Sequence, residues 1–262
     1  MSNEYQEQGY FVERNFFDQH EIHDLRTILL AFHQSWKHAN AEFYAEKAIN
    51  SAYITGTEHL DTCKRTQLFS FIASSKLMNT VTSTMKRRPT FMNTQLFFNP
   101  ANPAQKNYWH RDPQYHLSIE QQKEALRGPE VIHFRIPLTD EPGLELVPCS
   151  HRLWDTTEEL DVRLENKGRK NHESLSTGKS IKLQAGDLLV FSANMIHRGL
   201  YGLDRLSLDI LFSDPEPSLV KFIRDDCLPS QEIMAILDNP DAFESTLALK
   251  SLNKSIQTKT LD

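Results

Sequence analysis

Hydrophobic periodicity changes once along the 262 residues, near Thr90, and that change constrains the fold more than any other feature. Before it, apolar residues recur at helical spacing. Ile22, Leu25, Ile28, Leu29 and Phe32 put one stripe on a helix reaching about Trp36, opened by Asp18-Gln19-His20-Glu21, which has the form of a capping box. A second helical stretch, about Ser70 to Lys86, carries Phe71, Ile72, Leu77, Met78, Val81 and Met85, and a short strand over Gly9 to Arg14 precedes both. From Thr90 onward the pattern is one of short strands broken by Pro, Gly and Asn: Phe91–Phe98, Val131–Leu138, Leu144–Val147, Ser180–Leu183, Leu188–Ser192 and Arg205–Phe212. Helices first and many short strands afterwards predict a mainly β barrel or two-sheet sandwich with flanking α-helices, not a nucleotide-binding parallel sheet.

The length suits a single domain over 1–262: a helical part to about 89, a β core over about 90–213, and a helical tail over about 214–262 broken near Asn239-Pro240. A net charge of −6 is mild and the basic residues are scattered, so no nucleic-acid partner is expected; Lys86-Arg87-Arg88 reads as a solvated helix end. No run of eighteen apolar residues occurs, and Met1-Ser2-Asn3-Glu4-Tyr5 lacks the order of a secretory signal. These features predict a cytoplasmic monomer or homodimer with no membrane partner. Cys63, Cys149 and Cys227 are odd in number and far apart, which predicts free thiols. The polar segment Asp155–Thr177 reads as a surface insertion and a candidate lid over a barrel mouth.

His110-Arg111-Asp112 carries the first chemical signal. On extended backbone, residues i and i+2 share a face, so an imidazole and a carboxylate here can reach one ion. With a second histidine they would complete a facial set of two histidines and one carboxylate, which leaves coordination positions open on Fe(II) for O₂ chemistry. Gln184-Ala185-Gly186-Asp187 turns into an apolar strand, and Asn194-Met195-Ile196-His197-Arg198-Gly199 follows it. Arg205 and Ser207 share one face of the last strand. On the first core strand Asn93, Gln95 and Phe97 share a face opposite Thr94, Leu96 and Phe98; that face either lines the barrel or is exposed. His133 and Arg135 share a face with Val131, suited either to an acidic ligand or to solvent. His116, His133 and His151 read as supporting or structural residues, and Trp109, Tyr115 and Trp154 as packing.

Taken in order, Trp109-His110-Arg111-Asp112, the turn Gly143-Leu144-Glu145-Leu146-Val147-Pro148-Cys149-Ser150-His151, Gly186-Asp187, His197 and Arg205-Leu206-Ser207 resemble the phytanoyl-CoA dioxygenase family, which includes ectoine hydroxylases. The resemblance covers roughly residues 9–212. It implies a double-stranded β-helix, a cupin-like jelly roll, with His110, Asp112 and His197 as metal ligands. It also implies Fe(II) as metal, 2-oxoglutarate as cosubstrate, and an arginine after the distal histidine for the far carboxylate.

Three arginines compete for that role. Arg198 adjoins His197 and points to the opposite face of an extended strand, whereas Arg205 has Ser207 two residues on to supply a hydroxyl to the same carboxylate and matches the family's Arg-x-Ser, so Arg205 is favoured over Arg135. Asn93 or Gln95 could add hydrogen bonds to 2-oxoglutarate. The chain departs from the family pattern twice: Cys149 replaces the glycine of the turn, and Arg205 lies nearer to His197. The expected activity is hydroxylation of a small organic substrate with O₂, releasing succinate and CO₂. Halogenation is not expected, because Asp112 fills the position a halide would need. A catalytically silent jelly-roll binding protein and a cupin-like metalloenzyme that does not use 2-oxoglutarate are the rival readings. No distinct basic groove marks a CoA diphosphate.

Overall fold

The computed structural model describes residues 2–259. Among the described residues nine strands form two antiparallel sheets: β1 (Tyr10–Glu13), β2 (Asn50–Ala52), β3 (Thr90–Phe98), β4 (Val131–Pro137), β5 (Glu141–Leu146), β6 (Lys179–Leu183), β7 (Leu188–Ser192), β8 (His197–Gly199) and β9 (Leu206–Ser213). The larger sheet has the order β1-β7-β4-β9-β3-β2 and the smaller β6-β5-β8, a jelly roll flanked by helices.

Strand alternation decides which side chains meet the helices. Ile132, Phe134 and Ile136 of β4 and Leu206, Leu208, Ile210 and Phe212 of β9 join one core with Leu25, Leu29, Phe32, Leu68, Phe69 and Leu77 from the helices. Each such buried side chain contributes roughly 1.5–3 kcal/mol. The intervening residues of the same strands face the space between the sheets. In β3 a register shift between Phe91 and Asn93 marks a bulge. It lets Phe91, Leu96 and Phe98 all join the helix-side core, while Asn93, Gln95 and Phe97 line the interior. Beside the small sheet that interior is closed by Tyr10, Leu144, Leu146, Ile181, Leu183, Leu189, Phe191 and Met195.

The first long helix spans Gln19–Ala39, and its capping box is present: the Asp18 side chain accepts from His20 N and Glu21 N, and Glu21 Oε2 accepts from Asp18 N at 2.8 Å. The second stretch is two helices, not one: Thr62–Ile72 and Ser75–Thr84 are separated at Ala73 and Ser74. Ser74 caps the second by accepting from Leu77 N, and the serine competes with helical hydrogen bonding in a way that periodicity alone does not reveal. The described part of the tail holds the 3-10 helices Pro217–Phe222 and Asp225–Cys227 and the α-helices Gln231–Met234 and Asp241–Lys259, with the break before the last at Asn239 and Pro240. Arg88, beyond the helix end, makes exposed ion pairs with Asp241 and Glu244. No helix among the described residues is long and apolar enough to cross a membrane.

The segment 155–177 does not act as a lid. It forms the helix Thr157–Arg163 and a short 3-10 turn, Asn166–Gly168, and none of its residues lines the cavity. Instead Val162 and Leu175 pack against Trp109, and Asp155 is buried between Arg111 and Arg163. Burial of that ion-paired carboxylate holds the segment beneath the metal-ligand loop.

Candidate active site

The backbone brings His110 and His197 together. His110 N donates to His197 O at 3.0 Å and His197 N to His110 O at 2.9 Å, so the loop carrying His110 continues the small sheet beside β8. Asp112 N donates to Ala193 O, and Asp112 opens the 3-10 turn Asp112–Tyr115. Trp109 is buried and donates its indole N–H to Glu173 O. Arg111, between the two ligands in sequence, points the other way and is fully buried: it donates to the carbonyls of Ser150, Leu153 and Asn194 and pairs with Asp155. One side chain thus ties the ligand loop to two other segments, 150–155 and the turn at Asn194.

His110, Asp112 and His197 each offer one atom, and the three atoms lie within 4.8 Å of one another. Asp112 Oδ1 is 3.5 Å from His110 Nε2 and 3.6 Å from His197 Nε2. Each ring is oriented from behind: His110 Nδ1 lies 3.1 Å from Tyr108 O and His197 Nδ1 3.0 Å from Met195 O. A carbonyl can only accept, so each Nδ1 carries the hydrogen and each Nε2 lone pair is free for a metal. Burial, with the neighbouring His110, pushes the His197 imidazole down to about 3, which keeps it in the neutral form a ligand requires. These donors fit a divalent ion.

The other Asp112 oxygen is taken. His133 Nε2 lies 2.7 Å from Asp112 Oδ2 and its Nδ1 lies 3.0 Å from Asp209 Oδ2, while its ring stacks on Phe191 at 4.5 Å. Burial disfavours charge on His133, but a carboxylate at each nitrogen outweighs it and raises the imidazole to about 9. Burial also works against the Asp112 carboxylate, yet His133 and His110 hold it well below the usual range.

Past the triad, a cavity of about 820 Å³ runs from its mouth to Arg135, Arg205 and Asp209. Arg205 Nε is 3.5 Å from Glu141 Oε2, and Arg135 Nε is 2.9 Å from Asp209 Oδ1. Arg135 Nη2 is buried without a hydrogen-bond partner, and the two Nε atoms face these carboxylates without forming a hydrogen bond. Gly199 makes room there, since a Cβ at this position would lie 2.5 Å from Arg205 Nη2. Ser207 is buried and donates to Glu141 Oε2 at 2.6 Å. Asn93 and Gln95 both line the cavity; Asn93 Oδ1 accepts from Tyr53 N and Thr94 N, which leaves its amide N–H groups for a ligand. Arg198 is turned away, pairing with Glu145 and covering Trp109.

Sequence reasoning missed Glu141, Asp209, Tyr108 and Tyr201. Tyr108 and Tyr115 flank the His110 ring at 5.2 and 5.7 Å, and Tyr201 lies against Arg205. The alternation that places Arg205 and Ser207 on one face of β9 also places Asp209 there, so that signal was present. Glu141 acquires its role only because the small sheet packs against the large one. Of the histidines outside the triad, His116 meets Phe222 at the mouth and His151 is buried away from the cavity beside Tyr5.

Fold and site together define a class: a jelly roll with one facial, metal-ready triad beside an arginine-lined cavity. The model of the phytanoyl-CoA dioxygenase family matches residues 5–200, and the chain belongs to that family. No curated protein matches it. Among solved structures it is similar to AviO1 from Streptomyces viridochromogenes Tue57, with a TM-score of 0.56 and 16% identity over 81% of this chain and 93% of that one. It is similar also to EctD from S. alaskensis with 2-oxoglutarate and 5-hydroxyectoine, at TM-score 0.59 and 13% identity over 81% and 74%. HygX from Streptomyces hygroscopicus with nickel and 2-oxoglutarate bound gives 0.55 and 14% over 80% and 84%.

Proposed function

We propose that this chain is an Fe(II)- and 2-oxoglutarate-dependent dioxygenase that hydroxylates a small organic substrate with release of succinate and CO₂. The observation that carries this is the triad, with both Nε2 atoms free, beside a cavity lined by the buried guanidiniums of Arg135 and Arg205. When bound, the iron supplies the oxidation of the 2-oxo acid and of the substrate C–H bond by O₂. His110, Asp112 and His197 would hold it. Arg205 would take the far carboxylate of 2-oxoglutarate, and Ser207 acts through Glu141 to fix that arginine. Asn93 and Gln95 offer neutral hydrogen bonds on the wall nearby.

Asp112 favours hydroxylation over halogenation, since its Oδ1 fills the position a halide would take, and His133 keeps the carboxylate turned toward the histidines. The binding of 2-oxoglutarate by EctD and HygX supports the choice of cosubstrate. Anaerobic addition of Fe(II) and 2-oxoglutarate should produce a visible metal-to-ligand charge-transfer band, absent from His110→Ala. A protein that binds Fe(II) yet gives no band would be a metalloprotein of another kind.

A further inference from the structure

We propose that the substrate of this site is an uncharged, largely apolar molecule with a hydroxyl or carbonyl oxygen close to the carbon that is oxidised, and not a CoA thioester or an amino-acid zwitterion. This rests on the proposed function and names the substrate class that it leaves open.

Three neighbouring strands wall the cavity, and their cross-strand rungs become less polar from floor to mouth. Gln95 lies opposite Asp209, and Asp209 opposite Arg135; one rung outward, Asn93, Leu211 and His133 stand in line. Beyond them come Met92 and Val131, which both line the cavity. Met92 reaches it because the bulge between Phe91 and Asn93 turns two successive side chains of β3 to the same side. The 3-10 helix Pro217–Phe222 adds Leu219 and Phe222, and the His116 ring meets Phe222 at 5.0 Å.

Charge is scarce on this outer wall. Apart from the triad, His133 and the floor residues Arg135, Arg205 and Asp209, the acidic and basic side chains lining the cavity among the described residues are His116, Glu124 and Lys221. Glu124 and Lys221 are exposed and opposite in sign. A charged group seated between that rim and the triad would lose its water and gain no counter-charge, a cost that an uncharged molecule does not carry. One lysine is also too little for the phosphates of CoA. The cavity volume of about 820 Å³ is near the upper end for small-molecule sites, so a five-carbon 2-oxo acid fills only part of it.

One polar feature interrupts the apolar wall, and it lies beside the metal site. The Tyr108 and Tyr115 rings are 5.2 and 5.7 Å from the His110 ring, and their hydroxyls share a hydrogen bond of 3.1 Å. Two hydroxyl hydrogens serve that one bond, so one is left to donate to a ligand oxygen. A single donor in an apolar pocket orients the molecule and thereby decides which carbon faces the metal.

The test is calorimetry on the anaerobic protein loaded with Fe(II) and saturated with 2-oxoglutarate, using three probes of one shape: 2-naphthol, 2-naphthoate and 2-naphthylmethylammonium. The charge-transfer band reports the loaded state. 2-Naphthol should bind roughly tenfold or more tightly than either ion. Val131→Asp sets a carboxylate into the half-buried part of the wall; it should weaken 2-naphthol and strengthen the ammonium probe, and Val131→Asn should not strengthen the ammonium. Tyr108→Phe combined with Tyr115→Phe should weaken 2-naphthol by roughly threefold to tenfold and leave naphthalene unchanged. Equal or tighter binding of either ion by the unaltered protein, or no binding of 2-naphthol, would overturn the substrate class, and a band of full intensity would leave the proposed function standing. Absence of the band would overturn the proposed function, while the order of the three probes still judges the wall.

Discussion

The two faces of β4 and β9 are opposite in character, although they alternate along the same two strands. One face presents Ile132, Phe134, Ile136, Leu208, Ile210 and Phe212 to the helices, with every side chain apolar and buried. The other presents His133, Arg135, Ser207 and Asp209 to the interior, equally buried and all polar or charged. The apolar face needs only volume and close packing. The polar face is stable only through specific partners, because each buried charge must be paired or neutralised. Substitution on the first face should therefore change stability and leave affinity alone, whereas on the second it should change affinity and, where it leaves a buried charge unpaired, stability as well.

The largest effect is expected at the metal. His110→Ala or His197→Ala should abolish Fe(II) binding in calorimetry with little change in thermal unfolding, because the two donors left hold a labile divalent ion poorly. Full iron affinity in either variant would remove it from the ligand set. On the apolar face, Phe134→Ala should cost about 3–5 kcal/mol in denaturant unfolding. Iron affinity of the remaining folded protein should be unchanged, and a parallel loss would show that the faces are not independent. Arg205→Ala should weaken 2-oxoglutarate roughly thirtyfold while iron is retained, about 2 kcal/mol for a severed buried charge pair. Gly199→Ala is milder: the added methyl must displace the Arg205 guanidinium, and a loss of about threefold to tenfold, near 1 kcal/mol, is expected from such overpacking. Unaltered affinity would mean that Arg205 has room to move.

The smallest effect lies on the helix side. His33 is buried against Phe98 and Tyr44 with its Nδ1 unpartnered, and burial lowers it from 6.5 to about 4. Between those values the unfolded chain binds a proton that the folded one refuses. Stability contributed at this site is thus complete above pH 6.5 and lost as pH falls toward 4. His33→Leu should flatten the melting temperature over that window, and an identical pH profile would exclude His33 as a contributor.

The sequence made some of this contrast legible. Ile132-His133-Phe134-Arg135-Ile136 alternates without a break, and so do the residues from Arg205 to Ile210, so the division into faces is visible there. The reading left open whether the polar face met solvent, because alternation cannot distinguish a solvated face from a buried one whose charges are paired. The pairs come from register: Arg135 lies opposite Asp209 on the neighbouring strand, and Glu141 reaches Ser207 from the other sheet. The ligand loop was legible because His110 and Asp112 are two residues apart. The expected lid was not found, because a polar stretch can be read as solvent-exposed when Asp155 is in fact buried by Arg111 and Arg163. Cys149 occupies left-handed backbone at φ 66°, the conformation for which glycine is ordinarily used; the chain accepts that strain instead of changing the turn.

Arg111 has a consequence for the protein in the test tube. Its bonds to three carbonyls and Asp155 hold the ligand loop from the side away from the triad, so metal loading and folding should be separable, unlike in a zinc finger. A rigid two-nitrogen, one-oxygen pocket has little means of refusing other first-row cations, and intrinsic affinity rises from iron through cobalt and nickel to copper. Selection of iron then falls to the supply of metals in the cell. Protein purified over immobilised nickel should carry nickel, remain fully folded and be inert until that ion is stripped and iron supplied.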